Sequence, residues 1–574
     1  MVTQSRVATR SVGIRVQRLL FDNPFRIWTV WAPLTLAATF WWQQGLYGFN
    51  PSDDGFILSQ SWRLSLGEIP HVDFTSPRPV GSAIVHLPEV LLPFGMLSIS
   101  RLVVVLQLLW IASVSIKLVP LGGRRLSSLQ YFLLLTIAFT LNVGTWPLMP
   151  WHTIDGLFIG MTALWLTLCR TDSRLLDNAQ WSAVWLLAGF APLTKQGFAL
   201  VPILVAGVLW ANGPRRAWRY SPLVVLPGAL YAFWTGSAFV GQLYSGSSAE
   251  LLVPLSSVFE IAGSPTGMIT LLAVASAFLL VSKVPGSRLA NRWIGGLLIA
   301  LPVIWTANRE AMGLSSSSAY LSVIVLTLVA VLTVRCLRTA SVIVALLGLG
   351  FAASMSWGVP GPGLLSGSYL ATSLFLFWGR GIDEFSSETN GFRSGFTVLI
   401  GVVLLASLFT MVFSRQASTY SELPRAGLTK TVPDRQFELI KMSPQSAAYL
   451  ESLQRCLDRY PASLVAVLPD NPGLYPLLRL RNPFSVDWWL PPERTFDHNE
   501  KVDKTVQVMN GEDDWLVLFQ SYEVYALRDL SLEQVTARGE PIAHDRNDLS
   551  LLKRLKGREV KCDSFTGQYK QSSD

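Results

Sequence analysis

The sequence predicts a polytopic α-helical membrane protein of about thirteen transmembrane helices with a C-terminal extracytoplasmic α/β domain. Three observations predict it. Half of the 574 residues are hydrophobic and only 15% are charged, with a mean hydropathy of +0.39, and ordinary soluble chains do not have that composition. The apolar residues fall in long uncharged runs separated by basic stretches, as bilayer-crossing helices and their loops require. The charge changes character near Phe413: the first 413 residues carry 25 Lys and Arg against 15 Asp and Glu, and the last 161 carry 21 against 23. The net charge of +8 is therefore scattered between apolar segments and forms no stripe on a solvated face, which argues against nucleic acid as a partner.

Residues 1–26 make a basic cytoplasmic N-terminus with Arg6, Arg10, Arg15, Arg18 and Arg26. The run 27–47 is long enough to cross a hydrocarbon core of about 30 Å. No small-residue cleavage site follows it, so the expectation is a retained first helix. After a polar loop, 49–101, apolar runs follow at 102–119, 129–143, 156–169, 181–193, 198–211, 221–238, 268–281, 293–307, 320–334, 341–357, 369–378 and 396–413. Several are shorter than the usual ~20 residues, so charge placement sets the count. With the N-terminus inside, 20 of the 25 basic residues of the membrane part fall on the cytoplasmic side, as the positive-inside rule expects. The chain then reads as a multi-pass protein of the plasma, or inner, membrane, with a membrane domain over 27–413.

An odd span count puts the remainder outside, as a polar linker over 414–434 and a domain over 435–574. In that domain Ala447, Leu450, Leu453 and Leu457 have helical spacing. SLVAVLPD and DWLVLF read as short buried strands, with a helical stretch around 502–509 between them. Cys456 and Cys562 share this domain on an oxidising side, which makes them a candidate disulfide. Cys169 and Cys336 fall at cytoplasmic helix ends.

The loop 49–101 is unusually polar. It holds Asp53, Asp54, Glu68, Asp73 and Glu89, with His71 and His86. Residues 55–66 read as a helix capped by Ser52 or Asp53, with Phe56, Ile57, Trp62 and Leu64 available to lie on the bilayer surface. Residues 80–96, broken by Pro88 and Pro93, read as a helix tucked against the protein at the outer interface. A solvated connector with a helix cap is the plain reading of the loop. Adjacent carboxylates at a membrane-proximal helix start equally suit a general base toward a hydroxyl, or ligands for a divalent metal.

A second polar island, NVGTWPLMPWHTIDGLF, places His152 one turn before Asp155. Asp155 either caps the helix that it opens or serves a site. The topology puts Asp53, Asp54, His71, His86, His152 and Asp155 on one side of the membrane, where they can line one cavity. The basic residues left on that side are Arg63, Arg78, Arg101, Lys195 and Arg309. A cation there snorkels to a headgroup or binds a substrate phosphate. Arg63 reads as snorkelling and Arg101 as flanking a span, while Arg78, Lys195 and Arg309 are the phosphate-binding candidates.

These segments, PSDDGFILSQSWRLSLGEIPHVDF, SPRPVGS, HTIDGLF and LTKQG, resemble in order the motifs of the GT-C membrane glycosyltransferases. The resemblance is closest to the branch of protein O-mannosyltransferases and the lipid A aminoarabinose transferase, and it covers roughly residues 27–200. It implies a GT-C-like helical membrane fold, and transfer of a sugar from a polyprenyl-phosphate carrier to a hydroxyl of a glycan, lipid or protein acceptor on the outer face. It also implies a catalytic carboxylate at Asp53 beside Asp54, a second-loop acid at Asp155 and phosphate contacts from Arg78 and Lys195. The pair is Asp-Asp where Asp-Glu is usual, so the base is open between Asp53 and Asp54. Arg replaces Lys at Arg78, and Val80 interrupts the proline pair.

On this reading Asp53 accepts the acceptor's proton as the hydroxyl attacks the anomeric carbon, with inversion. Asp54, His152 and Asp155 orient the sugar or the base. The residues name no certain cofactor, and a divalent metal bridging Asp54 and Asp155 is the open alternative. In the outer domain, Trp488 and Trp489 are candidates for stacking on sugar faces; the plain alternative is that the domain only stabilises the catalytic face. The competing class is a transporter or flippase of a lipid-linked or polar substrate. Such proteins usually keep ionisable residues near the midplane on broken helices and often carry internal repeats; here the acids gather at one interface and no repeat is visible.

Overall fold

In the computed structural model, residues 27–119, 126, 128–144, 147–169, 173–245, 253–283, 288–310, 317–355, 363–379, 401–409, 419–420 and 422–571 are described. The basic N-terminus, Arg124, Arg125, Arg170, Arg380, Arg393 and half of the run 396–413 lie outside them.

The membrane part is helical throughout. The first helix, α1 (Ala32–Phe40), is extended by π-helical turns at Ile27–Trp31 and Trp41–Gly45. The polar loop holds α2 (Phe56–Ser65), α3 (Gly81–Val85) and α4 (Leu87–Val90). Then come α5 (Met96–Leu118), α6 (Ser128–Gly144), α7 (His152–Leu168), α8 (Arg174–Thr194), α9 (Val201–Asn212), α10 (Leu226–Thr235) and α11 (Ala238–Ser245). The series closes with α12 (Val253–Gly263), α13 (Pro265–Lys283), α14 (Arg288–Glu310), α15 (Ser317–Thr333), α16 (Leu337–Ser354) and α17 (Ser366–Gly379).

Among the described residues, α5 and α16 are long and apolar enough to cross a membrane, and α12 with α13 would make a third span bent by 78°. Five further apolar helices are shorter. The expected span 221–238 is different in kind. A 3-10 turn, Arg215–Val225, leads into α10, and the helix stops at Gly236, whose φ of +66° only glycine adopts readily. Likewise 80–96 is two short helices hinged at His86, with a proline in the first turn of α4, where a missing N–H costs nothing.

The C-terminal domain is built on a four-stranded sheet in the order β1-β2-β4-β3, comprising β1 (Leu464–Leu468), β2 (Trp515–Gln520), β3 (Arg558–Cys562) and β4 (Phe565–Lys570). β1 runs parallel to β2 and the other pairs are antiparallel. Strand side chains alternate between faces. Val465, Val467, Leu516 and Leu518 therefore pack with Leu450 and Leu453 of α18 (Pro444–Arg459), and Ala466, Leu468, Val517 and Phe519 pack with Val502 and Val506 of the helix His498–Gly511. Both faces are covered, which is why β2 reads as an unbroken apolar run.

The domain sits directly on the polar loop. Phe56 stacks on Trp488 at 4.9 Å and on Trp151 at 5.7 Å. The indole of Trp62 donates to the Leu480 carbonyl at 2.8 Å. Arg63, expected to reach a lipid headgroup, is instead buried between Asp487 and Glu68, each at 2.7 Å. The apolar face of α2 is thus covered by the C-terminal domain and not by the bilayer. Gly55 and Gly473 meet backbone to backbone: a Cβ on Gly55 would stand 1.8 Å from the Gly473 Cα, and the Gly473 N–H donates to the Pro51 carbonyl at 2.8 Å.

Candidate active site

Asp53 begins the 3-10 turn Asp53–Gly55 that opens α2. The side chain of Asn50 shapes the approach by accepting from the backbone N–H groups of Ser52 and Asp53 at 2.8 and 3.1 Å. The Asp53 carboxylate is buried and makes no ion pair among the described residues. Tyr420 donates to its Oδ2 at 2.6 Å, and Tyr525, itself 3.0 Å from the Ser52 hydroxyl, reaches Oδ1 at 3.4 Å. Burial raises its pKa to about 6; the Tyr420 hydrogen bond opposes this, and the neighbouring Asp54 charge adds to it.

Asp54 is placed differently. Its Oδ2 accepts from Arg101 at 2.8 Å and from the Asn50 N–H at 2.8 Å. The same guanidinium donates to the carbonyls of Gly45, Tyr47 and Gly48. Arg101 therefore does more than flank a span, since it ties the start of the loop to α5 through Asp54.

Asp155 lies in the first turn of α7 and is fully buried. Its Oδ1 accepts from Gln107 at 2.8 Å and faces His86 Nε2 at 3.1 Å, and His86 Nδ1 faces Glu89 at 2.9 Å. Burial opposes a charged imidazole here, but the carboxylates of Asp155 and Glu89 outweigh it and raise the His86 pKa. The other oxygen of Asp155 and Nδ1 of His152 are buried and have no hydrogen-bond partner among the described residues. Among the described residues Asp54 and Asp155 share no hydrogen-bond partner, and no group of three or more His, Cys, Asp or Glu side chains is arranged to hold a metal ion.

Lys195 follows α8 in an extended conformation that turns its side chain inward. It is buried, and among the described residues its ammonium reaches the Thr153 hydroxyl at 3.4 Å and the Ala353 carbonyl at 3.2 Å. Burial, then the nearby Arg78 charge, push its pKa down to about 7. Arg78 pairs with Glu493 of the C-terminal domain at 2.7 Å and lies over the Phe56 ring at 5.7 Å. Gln196 donates to the Pro77 carbonyl at 2.7 Å, which joins the two cation-bearing turns. His152 completes the group, with its ring 4.8 Å from Trp151, which in turn meets Phe56.

The remaining candidates are held differently. His71 is clamped between Gln242 at 2.9 Å and Tyr231 at 2.6 Å, and burial lowers its pKa. Those bonds occupy both ring nitrogens and fix the loop to α10 and α11. Arg309 stands at the end of α14, and its side chain is outside the described residues. Trp488 and Trp489 are buried, the first on Phe56 and the second on Phe484 and His498, so neither presents a face to a sugar. Cys456 and Cys562 form a disulfide with Cα atoms 5.7 Å apart, and Cys169 and Cys336 are free thiols.

Solved structures that resemble the chain include two of one protein. They are ArnT from Cupriavidus metallidurans in the apo state, at 13% identity and a TM-score of 0.41 over 94% of this chain and 97% of that one, and ArnT from the same organism bound to undecaprenyl phosphate, at 12% and 0.42 over 94% and 98%. No family model matches the sequence, and no curated protein matches it either. ArnT is a lipid A aminoarabinose transferase with the GT-C fold, the family that the sequence motifs resemble.

Three partners of the candidate residues escaped the sequence. Tyr420 stands in what reads as a polar linker, where a lone aromatic among Ser, Thr and Glu was the available signal. Tyr525 and Glu493 come from the C-terminal domain, more than four hundred residues from Asp53 and Arg78. Nothing local in the sequence ties them to those residues.

Proposed function

We propose that this chain is an inverting membrane glycosyltransferase that moves a sugar from a polyprenyl-phosphate carrier to an acceptor hydroxyl. The reaction would take place on the side of the membrane that carries the C-terminal domain, with Asp53 as the general base. The observation that carries this reading is a pair of buried charges, Asp53 and Lys195, that meet no counter-ion among the described residues. Burying an uncompensated charge is costly, and substrates of matching charge relieve that cost. A carboxylate with a pKa near 6 is suited to take a proton from a hydroxyl close to neutral pH. A lysine near its titration point becomes fully charged when a phosphate arrives, which holds the leaving group as its negative charge develops.

Asp54 then serves as a structural anchor through Arg101, which favours Asp53 over Asp54 as the base. Arg78 is partly neutralised by Glu493, so it assists Lys195 in holding the phosphate. Asp155 and His152, each with an unpaired buried atom, supply hydrogen bonds to the sugar. The thirteen-span topology, with a cytoplasmic N-terminus and an extracytoplasmic C-terminal domain in the inner membrane, belongs to the same proposal.

The test uses purified full-length protein and its Asp53→Asn variant in lipid discs, with a panel of polyprenyl-phosphate sugars and an envelope acceptor fraction. Mass spectrometry should show sugar transfer and free polyprenyl phosphate with the wild type alone. Donors that all stay intact in the presence of acceptor, while labelled lipid-linked sugar crosses the bilayer equally with both proteins, would replace the transferase with a transporter.

A further inference from the structure

The first helix presents an exposed stripe along its length that includes Trp28, Trp31, Leu34 and Trp42, opposite the buried Pro33, Ala37 and Phe40. In an apolar helix such a stripe faces lipid. Trp42 stands at the end of this stripe beside residues 431–441, and aromatic residues of this kind mark a membrane–water boundary. Trp42 therefore fixes the level of the bilayer surface on the side of the C-terminal domain.

At that level the chain forms a groove of about 860 Å³ lined by Trp42, Tyr47, Phe94, Arg435, Leu439 and Lys441, among others. Its wall, residues 431–441, is held to the end of the first helix by backbone bonds. Lys441 N–H donates to the Leu46 carbonyl, Gly48 N–H donates to the Lys441 carbonyl, and Gly95 N–H donates to the Arg435 carbonyl, all at 2.8 Å. Three large apolar side chains from separate segments stand open there: Trp42 at 60%, Phe94 at 52% and Leu439 at 51% exposure. Leu439 also has a φ of +72°, a strained conformation for a leucine. The rim is mixed in charge, with Arg435 and Lys441 beside Asp434 and Glu438, so apolar burial and not electrostatic attraction is the driving term.

We infer that residues 431–441, with Phe94 and Trp42, form a membrane-docking edge that seats the C-terminal domain in the lipid leaflet next to it, its occupant being the acyl-chain and headgroup boundary of the bilayer. The lipid-facing stripe of the first helix runs without interruption into this groove, and the docked domain carries Tyr525 to Asp53. Since the rim charges balance, zwitterionic lipid suffices.

The test places an environment-sensitive nitrobenzoxadiazole label at Leu439→Cys in the full-length protein, with Cys169→Ser and Cys336→Ser removing the free thiols. The labelled protein is reconstituted in phosphatidylcholine vesicles. Phe94→Cys carries the same label from a separate segment as a second position. The expected result at both positions is blue-shifted emission, quenched more strongly by lipids brominated near the headgroup than near the chain end, and unchanged when anionic lipid is added. Water-like emission without quenching, in protein whose disulfide is intact on non-reducing gels, overturns the inference. So does blue emission that neither brominated lipid quenches, because that would mean a protein surface covers the groove.

Discussion

Asp53 is a carboxylate whose readiness to take a proton is set by its neighbours. Burial raises its pKa, Asp54 raises it further, the more distant Asp470 adds a little, and the hydroxyls of Tyr420 and Tyr525 lower it. Because the base must be ionised, transfer should rise with pH through about 6 and then level off, which a pH–rate profile checks. Tyr420→Phe removes a hydrogen bond that favours the ionised form. A bond to a charged group contributes about 1.5–3 kcal/mol, so the acid limb should move up by roughly one to two pH units; an unmoved limb would mean that another group governs it. Lys195→Gln keeps the size of the side chain but not its charge. It should lower kcat by about two to three orders of magnitude while the protein still folds, the usual cost of losing one preorganised group that stabilises developing charge. Single-turnover assays separate that effect from donor binding.

The helix α2 shows why the polar loop was only partly legible. Its start at Ser52 and Asp53 and its amphipathic spacing are local facts, and the helix is found where they place it. What covers its apolar face is not local. Phe56, Ile57 and Trp62 suit a bilayer surface as well as a protein surface, and only the fold reveals Trp488 and Leu480 against them. Arg63 was misread for the same reason, since Asp487 lies more than four hundred residues away. This ion pair is buried, so breaking one side is costly. Asp487→Ala should destabilise the docked domain by about 3–5 kcal/mol, whereas replacing both partners by Arg63→Met and Asp487→Leu should cost far less. Thermal unfolding in detergent, read on the two variants side by side, checks the difference.

Taken together, the chain's architecture was legible where composition and periodicity carry information. Those sources gave apolar helices first, a small sheet last, and Cys456 and Cys562 in one domain. Span boundaries were the weak point, because a glycine such as Gly236 ends a helix inside a run, 221–238, that hydropathy reads as continuous. The disulfide closes a stretch of 106 residues and ties α18 to β3. Cross-links that close about a hundred residues contribute up to about 4–5 kcal/mol by the chain-entropy model. Reductant should therefore lower the unfolding temperature of the C-terminal domain and weaken transfer, while Cys456→Ser alone should match the reduced protein.

The tyrosine on Asp53 has a bearing on how the molecule comes into being. Asp53 is made early, but Tyr420 follows 367 residues later and Tyr525 472 residues later. A ribosome adding about 5–20 residues per second leaves the acid waiting for roughly twenty seconds to more than a minute after it enters the membrane. During that interval no nascent chain holds the finished constellation around Asp53. Synthesis itself thus delays completion of this cluster until the last domain has emerged, and a chain cut short before residue 525 lacks the Tyr525 contact however well its helices insert.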